Sequence, residues 1–377
     1  MVKGSARDGR GARTKRVTLA DVARSAGVSQ TAASFVLSGR REEMRISADT
    51  EARVLRAVRE TGYRPNIVSR SLRTGTTQTI GFISDTVATT PFAGHLIWGA
   101  LDAAREHGHL LFTGETEGDP ELERQLIEAM HDRRVDGIVL ASMYTRKVAV
   151  PKALLDGPAV LLNALASSRG SIPSVLPDEI EAGRTAARVL LEAGHAEGIY
   201  LVGAGPQANR VPKDSVAAVE RLQGIKEALD VAGIQAAGAV ACPDWQPELG
   251  YTATRQLLEK AKPSALICFN DRLSFGAYQA LAEAGLKVPE DVSVVSFDDD
   301  VLASWVKPQL TTVALPHYEL GRAAIEVLLD ANNDKTTGVK GPIHRIPMPL
   351  RERESVRRVP RSQRRQRATM RARTSKG

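Results

Sequence analysis

From Thr79 onward, short apolar runs alternate with longer amphipathic ones, and few folds satisfy that alternation. The apolar runs fall at 79–84 (TIGFIS), 109–113, 136–141, 158–162, 199–203, 238–241, 265–269 and 292–297. Between and after them, helical spacing predicts helices over 92–107, 120–133, 180–194, 217–232, 248–261, 272–285 and 318–331. A strand apolar along its whole length has both faces covered, and helices between strands make their neighbours parallel. The expected class is α/β. Eight strands exceed one ordinary sheet, and the pattern breaks near Asn163-Ala164-Leu165 before a Ser/Gly-rich loop, so two lobes are expected. Open parallel sheets bind ligands beyond the carboxyl ends of their strands, which places a site between the lobes.

Residues 18–75 read differently. Thr18 can cap a first helix, with Asp21 as its capping-box partner. Ala23 and Gly27 permit a sharp turn. Ser29 can cap a second helix over 30–37, and Ser47 a third over 48–61, stopped by Gly62. The second helix has Ala33, Val36 and Leu37 for a core and leaves Gln30, Thr31, Ser34 and Phe35 on or near the other side. Two short helices joined tightly, with polar residues opening the second, form a helix-turn-helix that reads the DNA major groove.

Charge supports that division. Of 377 residues with a net charge of +7, residues 1–75 hold 16 Lys and Arg against 7 Asp and Glu. Residues 351–377 hold 11 against 2, and the middle is acidic by about 11 charges. A basic head on an acidic body suits a DNA-docking sensor. The arms at 1–16 and 351–377 are Arg-rich with few apolar residues and are expected to be disordered; the tail either solubilises or adds phosphate affinity. No apolar run reaches eighteen residues, no leader is expected, and Cys242 and Cys268 stand alone, which together fit a cytoplasmic location and no membrane.

Residues Val17-Thr18-Leu19, Asp21-Val22-Ala23, Ala26-Gly27-Val28-Ser29, Val36-Leu37 and Gly62-Tyr63-Arg64-Pro65-Asn66 carry a resemblance. The segment resembles the headpiece of the lactose-repressor (LacI/GalR) family of bacterial transcription regulators, and the resemblance extends over about 16–356. It implies an all-α DNA-binding domain at 17–62, a hinge helix and linker at 63–76, and a two-lobed periplasmic-binding-protein-like body at 77–350. It implies a repressor that binds a double-stranded operator as a homodimer. A sugar-like small-molecule effector held between the lobes controls it.

The resemblance places Thr18, Ser29, Gln30, Thr31, Ser34 and Phe35 at the DNA. Gln30 suits adenine, Thr31 a base edge or thymine methyl, and Ser34 a phosphate. Phe35 stands where many relatives carry Arg, so a guanine contact made there is in doubt. Arg40 and Arg41 offer further phosphate contacts. In the hinge, Asn66 caps a short helix, Ser69 lies on it, and Leu72 is the residue that wedges into the minor groove. For the effector the expected residues are Phe92, Asn163, Arg221, Trp245, Asn270, Asp271 and Asp298. Carboxylates and amides can pair with hydroxyls, and an aromatic face suits C–H groups. The family implies that 164–292 lie mostly in the second lobe and that 293–345 partly return to the first.

No nucleophile triad, zinc spacing or phosphate loop occurs, so neither an enzyme nor a metal or cofactor site is expected. Two other readings share parts of the pattern. An exported sugar carrier would need a leader and no headpiece. An architectural DNA-binding protein with a vestigial sensor would show no ligand-dependent change in DNA affinity.

Overall fold

The computed structural model describes residues 17–63, 76–90, 94–167, 172–205, 214–333 and 341–359. The chain divides between Thr77 and Gln78 into two compact units.

The first unit holds α1 (Leu19–Ala26), α2 (Gln30–Leu37) and α3 (Ala48–Thr61). Thr18 and Asp21 cap α1 reciprocally: the Asp21 N–H donates to Thr18 Oγ1 and the Thr18 N–H to Asp21 Oδ2 at 3.0 Å. Gly27 ends α1 at φ 64°, a left-handed conformation open to glycine at no steric cost. The Ser29 hydroxyl caps α2 and the Ser47 hydroxyl α3. Val22, Ala23, Ala26, Ala33, Val36, Val54 and Ala57 close a small core, with Tyr63 packed against it.

The second unit contains two six-stranded sheets. The first joins β1 (Thr79–Ser84), β2 (Leu110–Glu115), β3 (Gly137–Val148), β4 (Ala159–Ala166), β5 (Ser174–Pro177) and β11 (Ile343–Ile346). All its pairings are parallel, in the order β11-β5-β4-β3-β1-β2. The second joins β6 (Ile199–Gly203), β7 (Gly238–Ala241), β8 (Ala265–Cys268), β9 (Ser293–Asp298), β10 (Thr311–Ala314) and β12 (Leu350–Arg351), in the order β12-β10-β9-β8-β6-β7. Only β12, among the described strands, pairs antiparallel. The long apolar runs have the expected cause. On β3, Val139 and Ala141 enter one core cluster, while Ile138 and Leu140 enter another.

Helices α4 (Gly94–Glu106), α5 (Pro120–Asp132) and α11 (His317–Asn333) cover the first sheet. The second lobe carries α6 (Glu179–Ala193), α7 (Val216–Val231), α8 (Pro247–Leu258), α9 (Asp271–Glu283) and the short α10 (Val301–Trp305). Three helix pairs touch through reciprocal glycines. A Cβ on Gly99 would lie 1.9 Å from the Tyr318 carbonyl oxygen, and one on Gly321 the same distance from that of Leu96. Gly183 and Gly224 do this for α6 and α7, and Gly250 and Gly276 for α8 and α9.

Two expectations need correction, and a third gains its detail. The first lobe does not end near 163: β5 joins the first sheet, so the chain crosses at Asp178. The return expected for part of 293–345 is made by α11 and β11, while β9 and β10 stay in the second sheet. The tail expected from 351 is packed through 359. Ser355 is fully buried, and the Val359 N–H donates to the Ala193 carbonyl at 2.8 Å. Arginines hid this segment, because its anchors are a serine hydroxyl and backbone groups rather than an apolar run.

Candidate DNA-reading face and effector site

In the first unit the 3.6-residue period separates the faces of α2. Ala33 and Val36 turn inward, while Gln30 and Thr31 are exposed in the first turn and Ser34 is half-buried. Phe35 is half-buried too, with the Arg40 guanidinium 5.5 Å from its ring centroid. Arg40 Nε donates to Glu43 at 2.7 Å, and Arg41 pairs with Glu51 at 2.7 Å. Both arginines offered for phosphate therefore have carboxylate partners within the unit. Asn66, Ser69 and Leu72 of the hinge, and Phe92 of the body, lie outside the described residues.

In the body, five expected residues gather at the carboxyl edge of the second sheet. Arg221, one turn into α7, is 2 % exposed. Its Nε and Nη2 donate to the Glu179 carboxylate at 2.6 and 3.0 Å, and Nη1 donates to the Phe269 carbonyl at 2.6 Å. Nη2 also donates to Asp298 Oδ1 at 2.9 Å. The guanidinium lies 4.7 Å from the Phe297 ring centroid and 5.6 Å from that of Trp245. The close crossing of α6 on α7 at Gly183 and Gly224 brings Glu179 to Arg221. Burial pushes the Glu179 carboxyl up, and the Arg221 charge pulls it back. Burial also opposes the charge on Arg221, but Glu179 and Asp298 outweigh it and hold the guanidinium above its ordinary value.

Trp245 donates its indole N–H to the Gly203 carbonyl at 3.1 Å. Asn270 caps α9 and donates to the Trp245 carbonyl at 3.1 Å. Asp271 is 1 % exposed and accepts from the Asp300 N–H at 2.7 Å and the Thr312 hydroxyl at 2.8 Å. Burial raises its carboxyl well above the ordinary value. Its two oxygens are thus taken by the loop after β9 and by Thr312 of β10 rather than facing outward. Asp300 caps α10, and Asp298 and Asp299 take positive φ.

Asn163 sits on the other sheet, in β4, at φ 53°. It is 1 % exposed, and its Oδ1 has no hydrogen-bond partner. Near it, β3 runs past an irregularity between Ala141 and Arg146, and Arg146 bridges Ser215 at the start of α7. Arg146 also pairs with Asp85 at 2.9 Å. This bridge links the end of β3 in the first sheet to the start of α7 in the second lobe. Glu179, Phe297, Thr312 and Arg146 were not foreseen, because each acts on a residue far away in sequence.

Comparison with known proteins places both units. Residues 18–66 match the family model for bacterial regulatory proteins of the lacI family, and 77–351 the model for periplasmic binding proteins and the sugar-binding domain of the LacI family. The HTH-type transcriptional repressor PurR of Vibrio atlanticus is 34 % identical over 330 residues, covering 84 % of this chain and 92 % of that protein. The ribose operon repressor of Escherichia coli is 32 % identical over 347 residues, covering 91 % and 97 %. Among solved structures, the lac repressor dimer bound to operator and an anti-inducer superposes with a TM-score of 0.74 at 27 % identity, covering 91 % of this chain and all of that one. A complex of the transcriptional regulator CelR with cellobiose gives 0.62 at 29 % identity, covering 90 % and 100 %. Among the described residues no helix is long and apolar enough to cross a membrane. The chain belongs to the LacI family of bacterial regulatory proteins.

Proposed function

We propose that this protein is a transcriptional repressor that docks on operator DNA as a homodimer and changes its affinity when a sugar-like effector enters between the two lobes of its body. The observation that carries the reading is the group built on Arg221. A buried arginine is shared by two carboxylates, flanked by an indole and a phenyl ring, and set at a sheet's carboxyl edge in a chain that also bears a capped helix-turn-helix. In this reading Thr18, Ser29, Gln30, Thr31, Ser34 and Phe35 face the DNA, and Asn66, Ser69 and Leu72 form a hinge that contacts the minor groove. Arg221, Trp245, Asn270, Asp298, Asn163 and Phe92 contact the effector, and Asp271 holds the loop after β9 that carries Asp298. Lobe closure then alters the spacing of the paired hinges, which couples the two sites.

An operator fragment can be selected from a random duplex pool and its retention measured for the full chain and for residues 78–377. The full chain should retain it and lose or gain affinity on adding a sugar. Retention by the shortened body would overturn the assignment.

A further inference from the structure

We infer that Arg353, on the strap that closes the second lobe, is a positioning residue for the effector site. It sets where Asp298 presents its carboxylate. The inference rests on the reading of Asp298 as an effector contact. Asp298 is also the solvent-reaching member of its ion-pair group, with 30 % of its side chain exposed against 3 % for Arg221 and 2 % for Glu179.

The backbone that carries Asp298 is unusual. Asp298 lies at φ 103° and Asp299 at φ 57°, two consecutive non-glycine residues in the left-handed half of conformational space. Such a conformation persists only when its surroundings over-determine it. The backbone restraints here are the Leu315 N–H on the Asp298 carbonyl at 3.1 Å, the Asp299 N–H on Thr312 Oγ1 at 3.4 Å and the Asp300 N–H on Asp271 Oδ2 at 2.7 Å. Two side chains add to these: Arg221 holds the Asp298 carboxylate directly at 2.9 Å, and Arg353 Nη2 donates to Asp299 Oδ1 at 2.6 Å. Arg351 approaches the other oxygen at 3.5 Å.

Arg353 is itself fixed at two further points. Its N–H donates to Thr311 Oγ1 at 3.0 Å, and its Nη1 donates to the Leu310 carbonyl at 2.9 Å. Two residues on, the buried Ser355 hydroxyl accepts from the Thr311 N–H and donates to the Val294 carbonyl. The strap is therefore fastened to β9 and β10 independently of Asp299. Arg353 carries that rigidity to the loop, and a charged, doubly anchored donor holds a carboxylate in one orientation better than a single neutral bond does.

The test uses the full chain and three variants, Arg353→Ala, Arg353→Lys and Asp299→Asn. Hydrogen exchange is followed in peptides covering 297–301 and 354–359. Thermal shift and operator release are titrated with an equimolar mixture of D-ribose, D-glucose, D-galactose and cellobiose. Arg353→Ala and Asp299→Asn should speed exchange in 297–301 and leave 354–359 unchanged. The half-saturating sugar concentration should rise about tenfold in Arg353→Ala, with operator affinity in the absence of sugar unchanged and partial recovery in Arg353→Lys. If Arg353→Ala fails to fold, Asp299→Asn decides by the same criteria. Unchanged exchange in 297–301 overturns the inference. So does an unchanged half-saturation in a wild type that responds. A wild type that ignores every sugar counts against the effector reading instead, and the exchange result still decides whether Arg353 holds the loop.

Discussion

Gln30 and Phe35 stand five residues apart on α2, on different faces, and have opposite circumstances. Gln30 is exposed, so both amide donors and its carbonyl can reach a base edge. Gln30→Ala should cost about 1–3 kcal/mol on the preferred operator and relax the preference at one base pair, as a base-substitution scan would measure. Phe35 is half-buried with its ring against Arg40, and Phe35→Ala should therefore shift exchange of the 39–45 turn as well as DNA affinity. Trp245 offers a second residue-scale test. Trp98 and Trp305 are exposed at 56 % and 70 %, whereas Trp245 lies against Arg221 and Phe269. Trp245→Phe should remove most of the effector-induced fluorescence change and weaken effector binding roughly 2- to 10-fold. A full signal with unchanged affinity would leave Trp245 as a packing residue. Strand-end position alone made Trp245, Asn270 and Asp298 legible in the sequence. Glu179 carried no such signal, because an acid in the first turn of a helix is ordinary there. Its role comes from Arg221, 42 residues on. Asp271 was legible as a polar strand-end group, but its inward direction depends on Thr312 and Asp300, which no local pattern relates to it.

At the scale of elements, the reciprocal glycines decide how near two helices come. Gly224→Ala would push its new methyl against the Ile180 carbonyl, so α7 must move away from α6. Overpacking of this kind costs about 1–3 kcal/mol. The melting temperature should fall by several degrees, and because α7 carries Arg221, effector affinity should fall with it, while Gly233→Ala, which meets open space but a left-handed φ of 65°, should cost stability without changing that affinity. The α1 cap gives a pH-dependent prediction. Hydrogen bonds from the Thr18 hydroxyl and N–H lower the Asp21 carboxyl. The folded value therefore lies below the unfolded one, and this contribution is present above about pH 4 and lost as pH falls through the folded value. Exchange of α1 amides in the full chain should quicken in that acid range, and Asp21→Asn should flatten the dependence. The capping residues and the stops at Gly27 and Gly62 were legible because caps are local. The strands β5, β10, β11 and β12 were not, since they fall outside the regular alternation of apolar runs and helices and their partners in the sheets supply the pairing.

For the molecule as a whole, the α/β alternation was legible because both faces of each sheet are buried, which leaves an apolar record in every long strand. The places where the chain passes between lobes were not. They occur at Asp178, at 315–316 and at 347–349, where the sequence shows only the ends of neighbouring elements. These passages have a consequence for synthesis. Strand β5 emerges from the ribosome some 166 residues before β11, the strand that covers its edge. At 5–20 residues per second that edge stays unpaired for on the order of 10–30 s, together with the face that α11 will cover. The second lobe waits as well, for the strap at 350–359. A nascent chain stalled after residue 346 should therefore be protease-sensitive in the second lobe, and one stalled after 331 in both. A chain released after 359 should be resistant in the sheets and helices of both lobes. Its last tenth finishes both halves at nearly the same moment, so birth of the sensor is a single late event rather than one lobe followed by the other.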